Sequence, residues 1–146
     1  MSLAFAAVQA EDFEALLALR VAAMRPSLEA LGRFDLTRAR ERFAGQFHPA
    51  AMRWIEVAGE RVGLLTVHRE RDPWHVQHLY IAPGHQGQGL GRWALDSVQS
   101  EAAAAGVAVE LEALQGSDAN RFYQRHGFRV LAVQDIDTRY RWEPAR

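Results

Sequence analysis

The densest concentration of chemistry in the sequence lies at residues 78–92, H-L-Y-I-A-P-G-H-Q-G-Q-G-L-G-R. The run reads as strand, turn, glycine loop and helix start. Gly84, Gly87, Gly89 and Gly91 permit backbone angles that residues with side chains hold only at a cost. Backbone N–H groups can then converge where a helix begins, and the helix dipole favours an anion there. The chemistry is capture of a phosphate or pyrophosphate. A Walker loop requires G-x-x-x-x-G-K-[ST]; Gly84 and Gly89 have the spacing, but Leu90-Gly91 replace the Lys and hydroxyl, and all 17 basic residues are Arg. A Rossmann fingerprint requires G-x-G-x-x-G; Gly87-Gln88-Gly89 begins one, but Arg92 stands at the third glycine, and the expected first strand–helix unit near the N-terminus is missing. A third pattern, Q/R-x-x-G-x-G/A, is met in full by residues 86–91.

Composition narrows the remaining chemistry. The chain has 146 residues, enough for one domain with a core of its own, and this single domain is expected to run over residues 1–146. It has no Cys, so disulfides, thiolate metal sites and Cys nucleophiles are excluded. Without Lys there is no Schiff-base chemistry. A net charge of -1 argues against a nucleic-acid binder. No run of about 18 apolar residues points to a membrane span, and no signal peptide is apparent, so a cytoplasmic location is expected. His75-x-x-His78 has a metal-like look, but on a strand the two imidazoles point to opposite faces, so no metal site is expected.

Periodicity supplies the elements that must position these groups. Residues 3–8 form a first strand. Residues 10–24 form an amphipathic helix with Glu11, Asp12 and Glu14 in its first turn, which Pro26 should end nearby. Residues 37–47 form a second, Arg-rich helix. Residues 52–58 and 62–69 flank Gly59-Glu60 as a hairpin. Residues 75–81 form a third strong strand, 88–105 a helix ending at Gly106, 107–111 a strand, and 117–126 a short helix capped by Gly127. Residues 128–133 and 136–142 close the chain as strands. The order β-α-α-β-β-β-α-β-α-β-β implies a mixed α/β (α+β) fold with helices on the faces of its sheet.

A second motif lies downstream of the loop: residues 119–128, A-N-R-F-Y-Q-R-H-G-F. Together, the strand Leu79-Tyr80-Ile81, Pro83, the glycine loop and this A-x-x-[FL]-Y-x-x-x-G-F segment resemble the GCN5-related N-acetyltransferase (GNAT) family. The resemblance is good from Met52 onward and loose over the whole chain. It implies a single-domain, mostly antiparallel central sheet flanked by helices, with a splayed strand pair holding CoA. It implies acetyl-CoA as acyl-donor cosubstrate and transfer of the acetyl group to a primary amine of a small molecule or protein.

The resemblance also assigns residues. Amides of Gln86, Gly87, Gln88, Gly89, Leu90 and Gly91 would hold the CoA pyrophosphate, with Arg92 either helping or merely solvated. Leu79 and Ile81 would pair their backbone with pantetheine, their side chains being core in any case. Tyr123 takes the place of the tyrosine that faces the CoA sulfur, a general acid for the leaving thiolate, or else a packing aromatic. His75, eleven residues before Gln86, stands where relatives carry a base, or is a strand-end surface histidine. Where many members have Asn, this chain has Gly116 and Ser117, and Asn120 is the candidate substitute for binding pantetheine. Acceptor-site candidates are Met24, Arg25, Phe34, Trp54, His68 and Trp74, with Arg25 or Arg33 able to hold a substrate carboxylate. Exposed aromatics in residues 139–142 offer a homodimer surface. Two other readings remain: a CoA-binding regulatory module without turnover, and an interaction domain that binds no nucleotide.

Overall fold

A computed structural model describes residues 2–145. The elements are β1 (Leu3–Ala7), α1 (Phe13–Ala30), α2 (Leu36–Gln46), β2 (Met52–Val57), β3 (Glu60–His68), β4 (Trp74–Ile81), α3 (Leu90–Ala105), β5 (Val109–Leu114), α4 (Ala119–Arg125), β6 (Arg129–Val133) and β7 (Asp137–Trp142). This is the expected order, element for element. The strands hydrogen-bond as β1-β2-β3-β4-β5-β7-β6. Pairs β1–β2, β2–β3, β5–β7 and β6–β7 are antiparallel, and β4–β5 is parallel. The parallel pairing joins Trp74–Val76 to Val109–Leu111, the first three residues of each strand.

Three local expectations are corrected. Pro26 does not end the first helix; α1 runs through it to Ala30. The missing N–H deprives the carbonyl of Ala22, and both residues are exposed, so that carbonyl is open to solvent. The strand expected at 107–111 lies later, at Val109–Leu114, because Val107 is taken into the helix-end turn by its N–H bond to the Ala102 carbonyl. Tyr140, expected to be an exposed dimer aromatic, is 2% exposed: β7 lies between β5 and β6 and is no edge.

The chain forms two compact units. The first holds the described residues up to Thr66 together with His78–Ala94. Its core gathers Val8, Leu16, Leu17, Phe43, Met52, Trp54 and Leu64. The chain reaches this arrangement through α2, whose buried residues Ala39 and Phe43 stand four apart on one face, and whose start is capped by Asp35 accepting from the Arg38 N–H at 3.1 Å. Gly63 lies where β3 approaches β4: a Cβ there would meet the Tyr80 carbonyl oxygen at 2.7 Å, so no side chain fits.

Asp12 anchors this unit. Its carboxylate accepts the Gln9 N–H at 2.8 Å, the Trp54 indole N–H at 3.1 Å and Arg61 at 3.1 Å. Trp54 is 4% exposed, so its N–H needs that acceptor. The Gln9 N–H first, then Trp54, with Arg61 adding charge, hold the Asp12 pKa below the ordinary aspartate value despite burial. A carboxyl lowered in the folded state binds its proton more tightly in the unfolded chain. Its contribution is complete above the unfolded pKa and is lost as pH falls through the lowered folded value. Asp12→Asn should therefore destabilise the protein by about 2–3 kcal/mol at neutral pH, and thermal melts of variant and wild type should converge in strong acid. Equal melting temperatures at pH 7 would remove Asp12 from the stability account.

The second unit holds Val67–Gln77 and the described residues from Leu95 on. Val109, Leu111 and Ala113 alternate along β5 and are buried. The intervening acids face charged partners: Glu110 accepts from Arg139 at 3.0 Å and Arg141 at 2.6 Å.

Candidate active site

The glycine loop lies in the first unit and joins β4 to α3. A 3-10 turn at Pro83–His85 ends β4, and Gln86 to Gly89 are exposed. Gly87 and Gly89 have φ of +80° and +81°, in the region that only glycine holds freely. A Cβ on either would meet nothing within 4 Å, so the space over the loop backbone is open. The Gly89 carbonyl accepts the Trp93 N–H at 3.0 Å, the first helical bond of α3. The amides just before it have no acceptor within the helix. The opening turn is anchored by buried Leu90 and by Trp93 against Phe5, ring centroids 4.5 Å apart. Rigid support, open space and spare donors suit an anion of pyrophosphate size.

Gln86 contributes its side chain as well: Nε2 donates to the Ile81 carbonyl at 3.0 Å, tying the loop to the end of β4. Leu79 and Ile81 are half-buried rather than core, and Arg92 is exposed. The expected alternation on β4 holds: His78 is 2% exposed and bonded to Thr66 and Gln46, while His75 is half-exposed.

The second unit carries His75, Asn120 and Tyr123. Sequence reasoning missed the partner of His75: Nε2 lies 2.9 Å from Glu112 Oε1 and 3.2 Å from Oε2. A carboxylate accepts only, so Nε2 carries the proton and Nδ1 is left as the basic nitrogen. The ring stacks on His68 at 6.3 Å, and His68 Nε2 lies 2.7 Å from Gln77 Oε1. The only sequence signal for Glu112 was its place among the alternating acids of β5. Glu112 also acts on a neighbouring strand: burial first, then the Glu112 charge, raises the Asp137 pKa, with Arg139 opposing.

Tyr123 on α4 is buried and packs against Phe122, Phe128 and Tyr140 at centroid distances of 5.5, 5.9 and 6.1 Å. Asn120 has its amide donors committed. Its Nδ2 donates to the carbonyls of Leu114 at 2.8 Å and Ser117 at 3.0 Å, and Oδ1 accepts the Tyr140 hydroxyl at 2.8 Å. These bonds fasten α4 to the end of β5 and to β7. Among the described residues, no group of three or more His, Cys, Asp or Glu side chains could hold a metal ion. Among the described residues, no helix is long and apolar enough to cross a membrane.

The expected acceptor residues are scattered in role. Arg25 is exposed, donates to Glu29 at 3.2 Å and covers the Phe34 ring at 4.4 Å. Trp54 is bound to Asp12, and Trp74 lies under Arg69 at 5.2 Å.

The acetyltransferase (GNAT) domain family profile matches residues 49–130. A peptidyl-lysine N-acetyltransferase, YjaB, of Salmonella typhimurium is 29% identical over 99 residues, covering 66% of this chain and 63% of that protein. The chain thus matches less than two thirds of that relative's length. The crystal structure of the PaiA N-acetyltransferase of Thermoplasma acidophilum, in complex with coenzyme A, superposes with a TM-score of 0.79 at 13% identity, covering 98% of this chain and 99% of that one. The ribosomal-protein-S18-alanine N-acetyltransferase of Escherichia coli superposes with a TM-score of 0.72 at 16% identity, covering 96% and 91%.

Proposed function

The chain belongs to the acetyltransferase (GNAT) domain family, and from that membership we propose that it is an acetyl-CoA-dependent N-acetyltransferase acting on a primary amine of a small molecule or protein. The observation that carries this reading is the loop of residues 86–91, with Gly87 and Gly89 at positive φ, feeding the start of α3. The reading treats residues 1–146 as one catalytic domain. A cytoplasmic location belongs to the same reading. A homodimer is part of the proposal, though the buried Tyr140 is no part of its surface.

Acetyl-CoA supplies a thioester whose acyl carbon an amine can attack. The chain's own residues do the rest. The amides of Gln86 to Gly91, with Arg92, hold the pyrophosphate; the backbone of Leu79 and Ile81 pairs with pantetheine as an added strand would. The parallel pairing of β4, which ends at Val76, supports that role. Asn120 has both Nδ2 hydrogens committed, so it meets pantetheine as an acceptor, through the second lone pair of Oδ1; its present bonds position α4. His75, oriented by Glu112, accepts a proton at Nδ1 from the incoming ammonium, directly or through water. Tyr123 donates its proton to the departing thiolate. Proximity supplies much of the remaining acceleration.

The test is release of free thiol from acetyl-CoA across a panel of amines. Thermal stabilisation by acetyl-CoA without thiol release from any of them would favour the regulatory-module reading. His75→Ala should depress turnover most below the acceptor's own pKa, where deprotonation needs help, and recover much of it at high pH. Glu112→Gln should show the same pH trend with a smaller loss, since the imidazole remains but loses its orienting charge. A pH-independent ratio of variant to wild type would assign the proton to water.

A further inference from the structure

Arg20, on α1 in the first unit, is 6% exposed, and its Nε has no hydrogen-bond partner. Removing a guanidinium from water is costly unless an anion or a full set of acceptors replaces the hydration. Among the described residues no carboxylate pairs with it. Its neighbours are instead Tyr80, on whose hydroxyl its charge acts, and the Phe43 ring, 5.9 Å from the guanidinium carbon.

The surrounding groups do not relieve the charge. His78, 5.6 Å from the Tyr80 ring, is committed at both nitrogens: Nδ1 to Thr66 Oγ1 at 2.8 Å and Nε2 to Gln46 Oε1 at 2.9 Å. Arg42 adds a second positive charge acting on Tyr80. Burial raises the Tyr80 pKa, and the two arginines pull it only partly back, so the phenol keeps its proton and remains a donor. The result is a buried cation with an unpartnered Nε–H, near a phenol on which a second arginine also acts. Exposed Arg25 already has Glu29 and does not present this demand.

We propose that Arg20 and Tyr80 form a carboxylate subsite, so that the preferred acceptor is an amine that also carries a carboxylate, as a free amino acid does. The proposal rests on the acyl-transfer reading above, and it specifies the substrate class. Tyr80 stands on β4 between Leu79 and Ile81, the residues given to pantetheine, so the subsite belongs to the strand that would hold the donor. The guanidinium and phenol donors match the two in-plane oxygens of a carboxylate.

The experiment compares glycine, L-alanine, L-leucine, L-glutamine and L-phenylalanine with their primary amides as acceptors. Thiol release is expressed per neutral amine, because the amides ionise differently. In the wild type, the best acid should exceed its amide in kcat/KM by about tenfold or more, the value of a hydrogen bond to a charged group. In Arg20→Gln that ratio should fall to about one, chiefly through KM, while the rise in melting temperature with acetyl-CoA persists. Tyr80→Phe should reduce the ratio severalfold, and it carries the test should Arg20→Gln not fold. Amides as good as acids in the wild type, or a ratio untouched by both variants, overturns the subsite and leaves acyl transfer standing. If acetyl-CoA neither stabilises the protein nor is consumed, acyl transfer is what fails. The subsite is then judged by thermal stabilisation with the same acids and amides, and the absence of any preference for the acids overturns it.

Discussion

Tyr123→Phe should leave acetyl-CoA affinity nearly unchanged and lower turnover by about 10²–10⁴, the usual contribution of a general acid. The substitution keeps the ring, which is 6% exposed and packed against Phe122, Phe128 and Tyr140. It removes the hydroxyl alone, so the fold should hold. The lower end of the range is expected, because a CoA thiolate leaves tolerably without assistance. Thiol release under single-turnover conditions reads the chemical step directly. Near-full activity with chemistry rate-limiting would return Tyr123 to a packing role and leave proton delivery to solvent.

Gly89→Asp should abolish stabilisation by acetyl-CoA. At a hundredfold excess over its dissociation constant, a ligand that binds only the folded state adds about 2.7 kcal/mol. For a domain of this size that is roughly 8–10 °C in melting temperature. The new side chain meets nothing within 4 Å in the folded chain, so the damage to the fold is limited to holding φ at +81°. Asp tolerates that conformation better than most residues. The charge, however, enters the space the phosphates need. Gly106→Asp is the matched control. Gly106 has φ +71° and equally open surroundings, but it follows the C-terminal end of α3, away from the loop. It should keep the full acetyl-CoA shift. Stabilisation of the wild type by NAD or ATP but not by CoA would overturn the assignment of the loop.

Much of this molecule was legible in its sequence because the signals are local. Alternation gave β4 its two faces, and His75 and His78 lie on opposite sides as expected. The hairpin turn, expected at Gly59-Glu60 and found one residue earlier at Ala58-Gly59, the glycines before α3 and Gly127 after α4 are punctuation whose meaning depends on backbone angles at single residues. The order of elements and the place of the glycine loop follow from such signals alone. Pro26 was the local signal that misled. Its cost depends on whether the deprived carbonyl can reach water, and in α1 it can.

What the tertiary structure alone decided is which distant residues meet. Glu112 reaches His75 from 37 positions away because the parallel register sets His75 against Glu110, one pleat before it on β5. Asp12 takes Trp54 and Arg61 from 42 and 49 positions away. Tyr140 is buried because β7 inserts between β5 and β6, a strand order that its own alternation does not encode. Arg20 is one of 17 arginines in the sequence. Its lack of a carboxylate became visible only when α1 closed over Phe43 and Tyr80. Periodicity specifies which face of an element turns inward; register and strand order specify what it meets there, and those are settled by packing the whole chain at once.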